Sequence, residues 1–213
     1  MLKPPICGLI ALLLGCQSLI AQDTLINDLE AARDDTNKVM LYYKTRAGII
    51  YQNPQTAMKY FRAGVELAKK LDYTSGIERC LGAVSFTWSN LSKYDSALVY
   101  INLAIPYAKK AGELKRLTLV YINRADVHNN LYNLSAALKD CDTAFQYAEK
   151  MTGNSDALGR ITGLMAGIYQ EQKQYTAAEL NIERSIRYFE KTTNRRMVAQ
   201  SYSDKADLYN ILE

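Results

Sequence analysis

The sequence contains few residues that break helices and few that perform chemistry. Its 213 residues include 4 prolines and 11 glycines, so long helices can form with little interruption. There is one histidine, His128, and there is no Cys-x-x-Cys motif and no Gly-rich phosphate loop. A metal site built on a histidine pair is therefore excluded, and the sequence predicts no metal and no cofactor.

An excess of charge of one sign is also lacking. The formal net charge is +4, and the 26 basic residues are mixed along the chain with 22 acidic ones. Proteins that bind nucleic acid usually carry their basic residues as a patch or stripe. We therefore expect no nucleic-acid partner.

The first 21 residues have the organisation of an export signal. Lys3 supplies a positive start, residues 6–14 form a short apolar run, and the chain turns polar after Ala21. Such a run is too short to span a bilayer. This pattern predicts a signal peptide over residues 1–21 and an exported protein, periplasmic or on the cell surface. Residues 22–35 then form a linker or a capping helix.

The four cysteines fall into two groups. Cys16 follows Leu-Leu-Gly, which resembles a lipobox, so the alternative to simple cleavage is lipid modification of Cys16. The membrane would then be contacted through that anchor, or otherwise through a segment further downstream. Cys80 and Cys141 lie in apolar helical settings on different repeats, which favours buried free thiols over a disulfide.

Small and aromatic residues recur with one fixed period. Alanine appears early in four apolar segments, at intervals of 40, 40 and 41 residues. Aromatic residues or histidine recur at intervals of 40, 41 and 40 residues. A second set of small residues recurs at the same intervals. A fixed period of this length predicts a stacked repeat array. The three series are Ala57, Ala97, Ala137 and Ala178; Trp88, His128, Tyr169 and Tyr209; and Ser85, Ala125, Ala166 and Ala206.

Each repeat is predicted to hold two helices, helix A and then helix B. Gly112, Gly153 and Asn194 separate repeats, since Gly and Asn tolerate the left-handed conformation that closes helices. The first break is placed at residues 72–76. The predicted fold is all-α, an α-solenoid of antiparallel helix pairs with about four and a half repeats. The units are 36–73, 74–112, 113–153, 154–194 and a partial unit 195–213. The predicted helices include Thr74–Asn90, Tyr94–Ala111, Leu114–Asn130, Leu134–Met151, Ser155–Gln172, Tyr175–Thr192 and Arg195–Glu213.

The second unit carries a family resemblance. It resembles the tetratricopeptide repeat (TPR) in Leu81, Val84, Ser85 and Trp88 on helix A and in Tyr94, Ala97, Ile101 and Ala104 on helix B. The period is longer than the family's 34 or so residues, which implies longer helix pairs in a TPR-like superhelix. Similar long repeats occur in exported sensor regions of histidine kinases and transcription regulators of Bacteroidetes. The resemblance implies a protein or peptide partner and a place in a larger signalling protein.

Arrays of this kind bind on the concave surface that their A helices line. Asparagine and glutamine recur near the ends of these helices and could pair with the backbone of an extended peptide, because an amide both donates and accepts hydrogen bonds. The alternative is a solvated helix face. The candidate residues are Arg79, Phe86, Ser89, Asn90, Asp126, Asn129, Asn130, Arg160, Gly167, Gln170, Glu171, Asp207 and Asn210.

The expected function is therefore non-enzymatic binding. His128 stands where other units have Trp or Tyr, so it is interpreted as a core residue rather than as part of a Ser-His-Asp site. The last helix would expose apolar residues unless a further segment followed, and a homodimer is left open. The alternative function is a surface lipoprotein that binds glycans or assembles an outer-membrane complex.

Overall fold

The structure is a computed structural model that describes Leu29 and residues 31–44 and 49–212. The predicted signal peptide over residues 1–21 and the predicted lipidation of Cys16 lie outside these residues. The described part contains nine helices and no strand. They are α1 (Thr36–Lys44), α2 (Pro54–Lys70), α3 (Thr74–Asn90), α4 (Tyr94–Ala111), α5 (Leu114–Asn130), α6 (Leu134–Glu149), α7 (Ser155–Glu171), α8 (Tyr175–Phe189) and α9 (Arg195–Leu212).

The helices pack in sequence order as pairs. The chain forms two compact blocks, an N-terminal block, Met1–Thr87, and a C-terminal block, Trp88–Glu213. In the N-terminal block α1 packs on α2. In the C-terminal block each helix from α4 to α9 packs on the next, and α5 also packs on α7. Helix α5 therefore contacts both its own helix B, α6, and the helix A of the next repeat, α7. The fold is the predicted all-α solenoid of TPR-like helix pairs.

The helix boundaries follow local signals in the sequence. Asn53 caps α2, since its Oδ1 accepts a hydrogen bond from the Thr56 backbone N–H at 3.0 Å, and Pro54 occupies the first turn. Gly112 and Gly153 follow α4 and α6 with φ of 71° and 62°, as predicted. The predicted C-terminal ends of α6, α7 and α8 lie two, one and three residues beyond the observed ends.

Two of the predicted breaks are wrong in detail. Asn194 does not close α8 in a left-handed conformation; its Oδ1 accepts from the Met197 backbone N–H at 3.4 Å, so it helps to begin α9. Gly76 lies inside α3, where a Cβ atom would stand 2.7 Å from Cγ1 of Val39. Its small size allows α3 to approach α1, and it does not form a turn.

The turns between helices A and B use left-handed residues that are not glycine. Ser92, Tyr132 and Lys173 have φ of 55°, 57° and 59° and stand 40 and 41 residues apart. This conformation costs an L-residue about 1–2 kcal/mol. The three side chains have nothing in common, so this regularity could not be predicted from residue type. The packing of the two helices that each turn joins sets the conformation.

The alanine series lies where paired helices touch. Ala57, Ala97, Ala137 and Ala178 each have 0% of their surface exposed. In the second small series Ser85, Ala125 and Ala166 are buried, whereas Ala206 on α9 is exposed. Small side chains at these positions allow close approach of backbones. Ala206 is exposed because no described helix covers that face of α9.

Three glycines on α7 differ in what surrounds them. A Cβ atom added to Gly159 would lie 2.9 Å from two atoms of the Phe189 ring on α8, and one added to Gly163 would lie 3.3 Å from Ser185 Oγ. One added to Gly167 would meet nothing within 4 Å. Helix α7 therefore needs glycine at its N-terminal half, against α8, and not at its C-terminal half.

This difference predicts opposite effects of the same substitution. Gly159→Ala should lower the free energy of unfolding by about 1–3 kcal/mol, because the added methyl group overpacks against Phe189. Gly167→Ala should raise it by about 0.5–1 kcal/mol, because alanine is the better helix former. Urea unfolding followed by circular dichroism measures both. Equal effects of the two substitutions would show that the contact with Phe189 does not constrain the packing.

Candidate functional site

Two adjoining cavities lie between helices A of the C-terminal block. The first, of about 400 Å³, is bounded by α5, α7 and the turn before α7. The second, of about 230 Å³, is bounded by α5, α7, α8 and α9. Ile122 and Arg160 line both cavities. We call the two cavities together the A-helix groove.

Helical spacing explains which residues line the groove. Residues three or four positions apart share a face of a helix. On α5 that face carries Lys115, Leu119, Ile122 and Asp126, and on α7 it carries Asp156, Arg160, Gly163 and Leu164. On α9 it carries Met197, Ser201 and Asp204. The faces of α5 and α7 thus combine apolar and charged residues, and the face of α9 adds one apolar residue, one serine and one aspartate.

The floor of the second cavity is a small polar junction. Ser185 on α8 donates a hydrogen bond to the Gly159 backbone carbonyl at 2.9 Å, and its Oγ lies 3.0 Å from Ser201 Oγ on α9. Both serines are buried. This junction ties α7, α8 and α9 together directly beneath the cavity and fixes the positions of the groups that line it.

Among the predicted site residues, Asp126 and Arg160 come together in the groove. Arg79 and Phe86 lie in the N-terminal block, partly buried, and Gly167 lies on α7 beyond the lining. The others lie near the ends of helices A and do not line either cavity: Ser89, Asn90, Asn129, Asn130, Gln170, Glu171, Asp207 and Asn210.

The proposed series of amides has a mixed environment. Asn130 is exposed, and its Nδ2 donates to the backbone carbonyl of Asp126 at 2.7 Å within its own helix. Asn129 Oδ1 is buried without a hydrogen-bond partner in the described structure. Pairing of these amides with a peptide backbone stays a prediction.

Sequence reasoning missed several groove residues, among them Lys115, Asp156 and Asp204. It followed the residues that recur at the C-terminal ends of helices A. The residues of the groove stand between about one and four turns earlier on the same helices, and they do not recur as a residue type. Starting from Asp126 and stepping back by four, seven and eleven residues would have found Ile122, Leu119 and Lys115.

Asp126 carries the strongest electrostatic perturbation in the groove. Burial raises the pKa of its carboxyl to about 6, although the nearby Arg160 acts in the opposite direction. No hydrogen bond to this carboxylate contributes. Behind it, burial raises the pKa of the Cys141 thiol, and Asp126 adds to that effect. At neutral pH the groove thus contains a poorly compensated negative charge, which is common at functional sites.

This perturbation predicts a stabilising substitution. The folded state binds the Asp126 proton more tightly than the unfolded state does, so the protein loses stability as the pH rises from about 4 through about 6. Asp126→Asn removes the charge and should raise the free energy of unfolding at neutral pH by roughly 1–2 kcal/mol, less than the full shift implies, since the carboxyl is partly exposed.

Urea unfolding at several pH values measures this difference. The advantage of the variant should shrink as the pH falls from about 6 and should vanish below about pH 4, where Asp126 is protonated in both states. Asp142→Asn, an exposed aspartate on α6, is the matched control. Destabilisation by Asp126→Asn at neutral pH would contradict the prediction.

A second charged cluster joins α4, α5 and α6. Arg124 donates to both carboxylate oxygens of Asp140, from Nε at 2.7 Å and from Nη2 at 2.6 Å, and from Nη1 to Asn102 Oδ1 at 2.9 Å. The Asp140 residue is 3% exposed. The hydrogen bond to Asp140 is the main cause that raises the pKa of Arg124. A bidentate pair of this kind holds its helices in one register, and the sequence offered no sign of it.

His128 borders this cluster. Its Nε2 lies 3.9 Å from Asp140 Oδ2, its side chain is 16% exposed, and burial lowers its pKa. Its partly buried position agrees with the interpretation of His128 as a core residue. Cys80 and Cys141 are buried free thiols, as predicted.

The described residues contain no group of three or more metal-ligating side chains. Among their helices, none combines the length and the apolar character that crossing a membrane requires.

Comparison with known proteins identifies the fold of this chain but no family to which it belongs. No protein-family model matches the sequence, and no curated protein matches it. BtubC (BKLC) from P. vanneervenii is similar in structure, with a TM-score of 0.78, 13% identity, and coverage of 92% of this chain and 83% of that one. At such identities the similarity shows the fold alone.

Two further solved structures are longer than this chain. One is a signal transduction ATPase with numerous domains and a tetratricopeptide repeat sensor, from Pyrococcus horikoshii (TM-score 0.77, 16% identity), with coverage of 90% of this chain and 30% of that one. The other is a Rap protein complexed with Competence and Sporulation Factor (TM-score 0.75, 14% identity), with coverage of 92% and 59%. These similarities agree with a TPR-like fold.

Proposed function

We propose that the protein is a non-enzymatic scaffold that binds an extended segment of a protein or peptide in the A-helix groove. One observation carries the proposal. Asp126 and Arg160, on neighbouring A helices, line a groove in which the Asp126 charge is left poorly compensated. Two structural neighbours, the complex of a Rap protein and the ATPase with a repeat sensor, support a binding role for this fold.

The dimensions of the groove favour an extended chain. Packed helices stand about 8–10 Å apart, so cavities on successive A helices are separated by a similar distance. An extended peptide advances about 3.3 Å per residue, so side chains two or three positions apart would enter the two cavities. The alternation of apolar stripes and charges suits a peptide with mixed side chains.

The test is peptide binding with charge reversal in the groove. Peptides selected from a random library on the purified chain should bind the double variant Lys115→Glu, Arg160→Glu with an affinity changed at least about tenfold, because the variant reverses two of the charges that line the groove. Fluorescence anisotropy measures the affinity. The control is Lys139→Glu with Arg184→Glu, which makes the same change in net charge at exposed positions on α6 and α8. Equal affinities of the two double variants would exclude the groove as the binding surface.

A third variant tests the amides at the helix ends. Asn90, Asn129 and Asn130 are replaced together by alanine and assayed with the same peptides. A loss confined to this variant would place binding at the helix ends and contradict the groove.

We further propose that the protein is exported and acts as the sensing or interaction region of a larger signalling protein, similar to the exported TPR sensors of Bacteroidetes. The support is the leader over residues 1–21 and the neighbour in which a repeat sensor is one part of a much longer chain.

Export is tested by the mass of the protein recovered from cell fractions. Cleavage after Ala21 should leave a periplasmic protein that begins at Gln22. Incorporation of labelled palmitate at Cys16 would support the lipoprotein alternative instead. An intact Met1 in the cytosolic fraction would contradict both.

A further inference from the structure

The second cavity of the groove differs from the first in size and charge. It measures about 230 Å³, less than the 300 Å³ or so at which pockets for small molecules begin. Its volume suits one long side chain rather than a whole metabolite. Its walls combine the apolar side chains of Ile122, Leu164, Phe189 and Met197 with charged groups and the two serines of the floor.

The charges around this cavity do not cancel. Asp126 on α5 and Asp204 on α9 face one cation, Arg160 on α7. Ionisation of all three leaves one negative charge in excess. Asp204 Oδ1 accepts a hydrogen bond from Gln200 Nε2 at 2.9 Å, whereas no described residue gives Asp126 such a bond. One further positive charge would therefore balance the charges around this cavity. The Asp126 carboxylate can also accept further hydrogen bonds.

We propose that this cavity receives the single basic side chain, lysine or arginine, of a bound peptide. The inference rests on the proposed function and specifies what the groove selects. The methylene stem lies along Ile122, Leu164 and Met197, as such stems do on apolar surface. The charged end reaches the carboxylates of Asp126 and Asp204.

Other side chains fit this cavity poorly. A glutamate or a phosphorylated residue would add a negative charge beside two carboxylates. An apolar side chain would fill the space and remove water from Asp126 without giving it a partner, which leaves a desolvated charge. A lysine or arginine removes that water and supplies the opposite charge.

The first cavity restricts the peptide further. Lys115 and Arg160 outnumber Asp156 among its charged residues, so it disfavours a second basic side chain. The groove thus selects peptides with one basic residue, placed next to apolar or acidic neighbours.

The first experiment is selection from a random peptide library on the full chain at neutral pH. One basic position should be enriched among the bound peptides. The best peptide is then made with lysine, norleucine or glutamate at that position, since norleucine keeps the stem and removes the charge. We expect the lysine peptide to bind at least about tenfold more tightly than the norleucine peptide.

Single substitutions test which carboxylates cause the preference for lysine over norleucine. Asp126→Asn should abolish the preference for lysine over norleucine, and Asp204→Asn should reduce it, while Asp142→Asn, exposed on α6, should leave it intact. Asp126→Asn is expected to be more stable than the wild type, so loss of binding would not reflect unfolding.

The pH dependence gives an independent reading. The groups that face Asp126 are Arg160 from α7, Asp204 from α9 and the neutral Cys141 thiol from α6. Protonation of Asp126 below about pH 6 should weaken the lysine peptide and leave the norleucine peptide unchanged.

The outcomes separate the two proposals. Peptides that bind in the groove, as shown by a changed affinity for the Lys115→Glu, Arg160→Glu variant, but that show no basic preference would overturn this inference and leave the proposed function standing. Failure of every library peptide to bind would overturn both. A basic preference that survives Asp126→Asn and Asp204→Asn would assign it to another surface and overturn the inference.

Discussion

The structure depends on the close approach of paired helices at positions that tolerate no large side chain. Ala57, Ala97, Ala137 and Ala178 are fully buried at these contacts. Small side chains at these contacts allow the backbones of paired helices to approach closely. The turns that join helices A and B are regular too, since Ser92, Tyr132 and Lys173 share a left-handed conformation despite their different chemistry.

Most of the fold could be predicted from the sequence because small residues recur with the period of the structural repeat. Helix bounds at Thr74–Asn90, Tyr94–Ala111 and Leu114–Asn130 agree with the structure, since caps and small residues are local signals. The errors arose where one residue type has two uses. Gly76 was assigned to a turn and instead allows two helices to touch, and Asn194 was assigned to a helix end and instead begins the next helix.

The site was less predictable because it depends on pairs of residues distant in the sequence. Asp126 and Arg160 were identified on separate helices, but their common cavity also needs Asp204, and no spacing indicates that contribution. The Arg124–Asp140 pair is similar, since either residue alone resembles an ordinary surface charge. Contacts of this kind join charged residues that are distant in the sequence, so they produce no periodic pattern in it.

The hydroxyl junction of Ser185 and Ser201 beneath the second cavity has a mechanical implication. In stacked arrays a repeat contacts its immediate neighbours, so a disturbance must pass along the chain one step at a time. Helices α5, α7, α8 and α9, which belong to three successive repeats, all border this one small space. An occupant of this space would contact helices of three repeats at once, so its binding would couple repeats that otherwise contact only their neighbours.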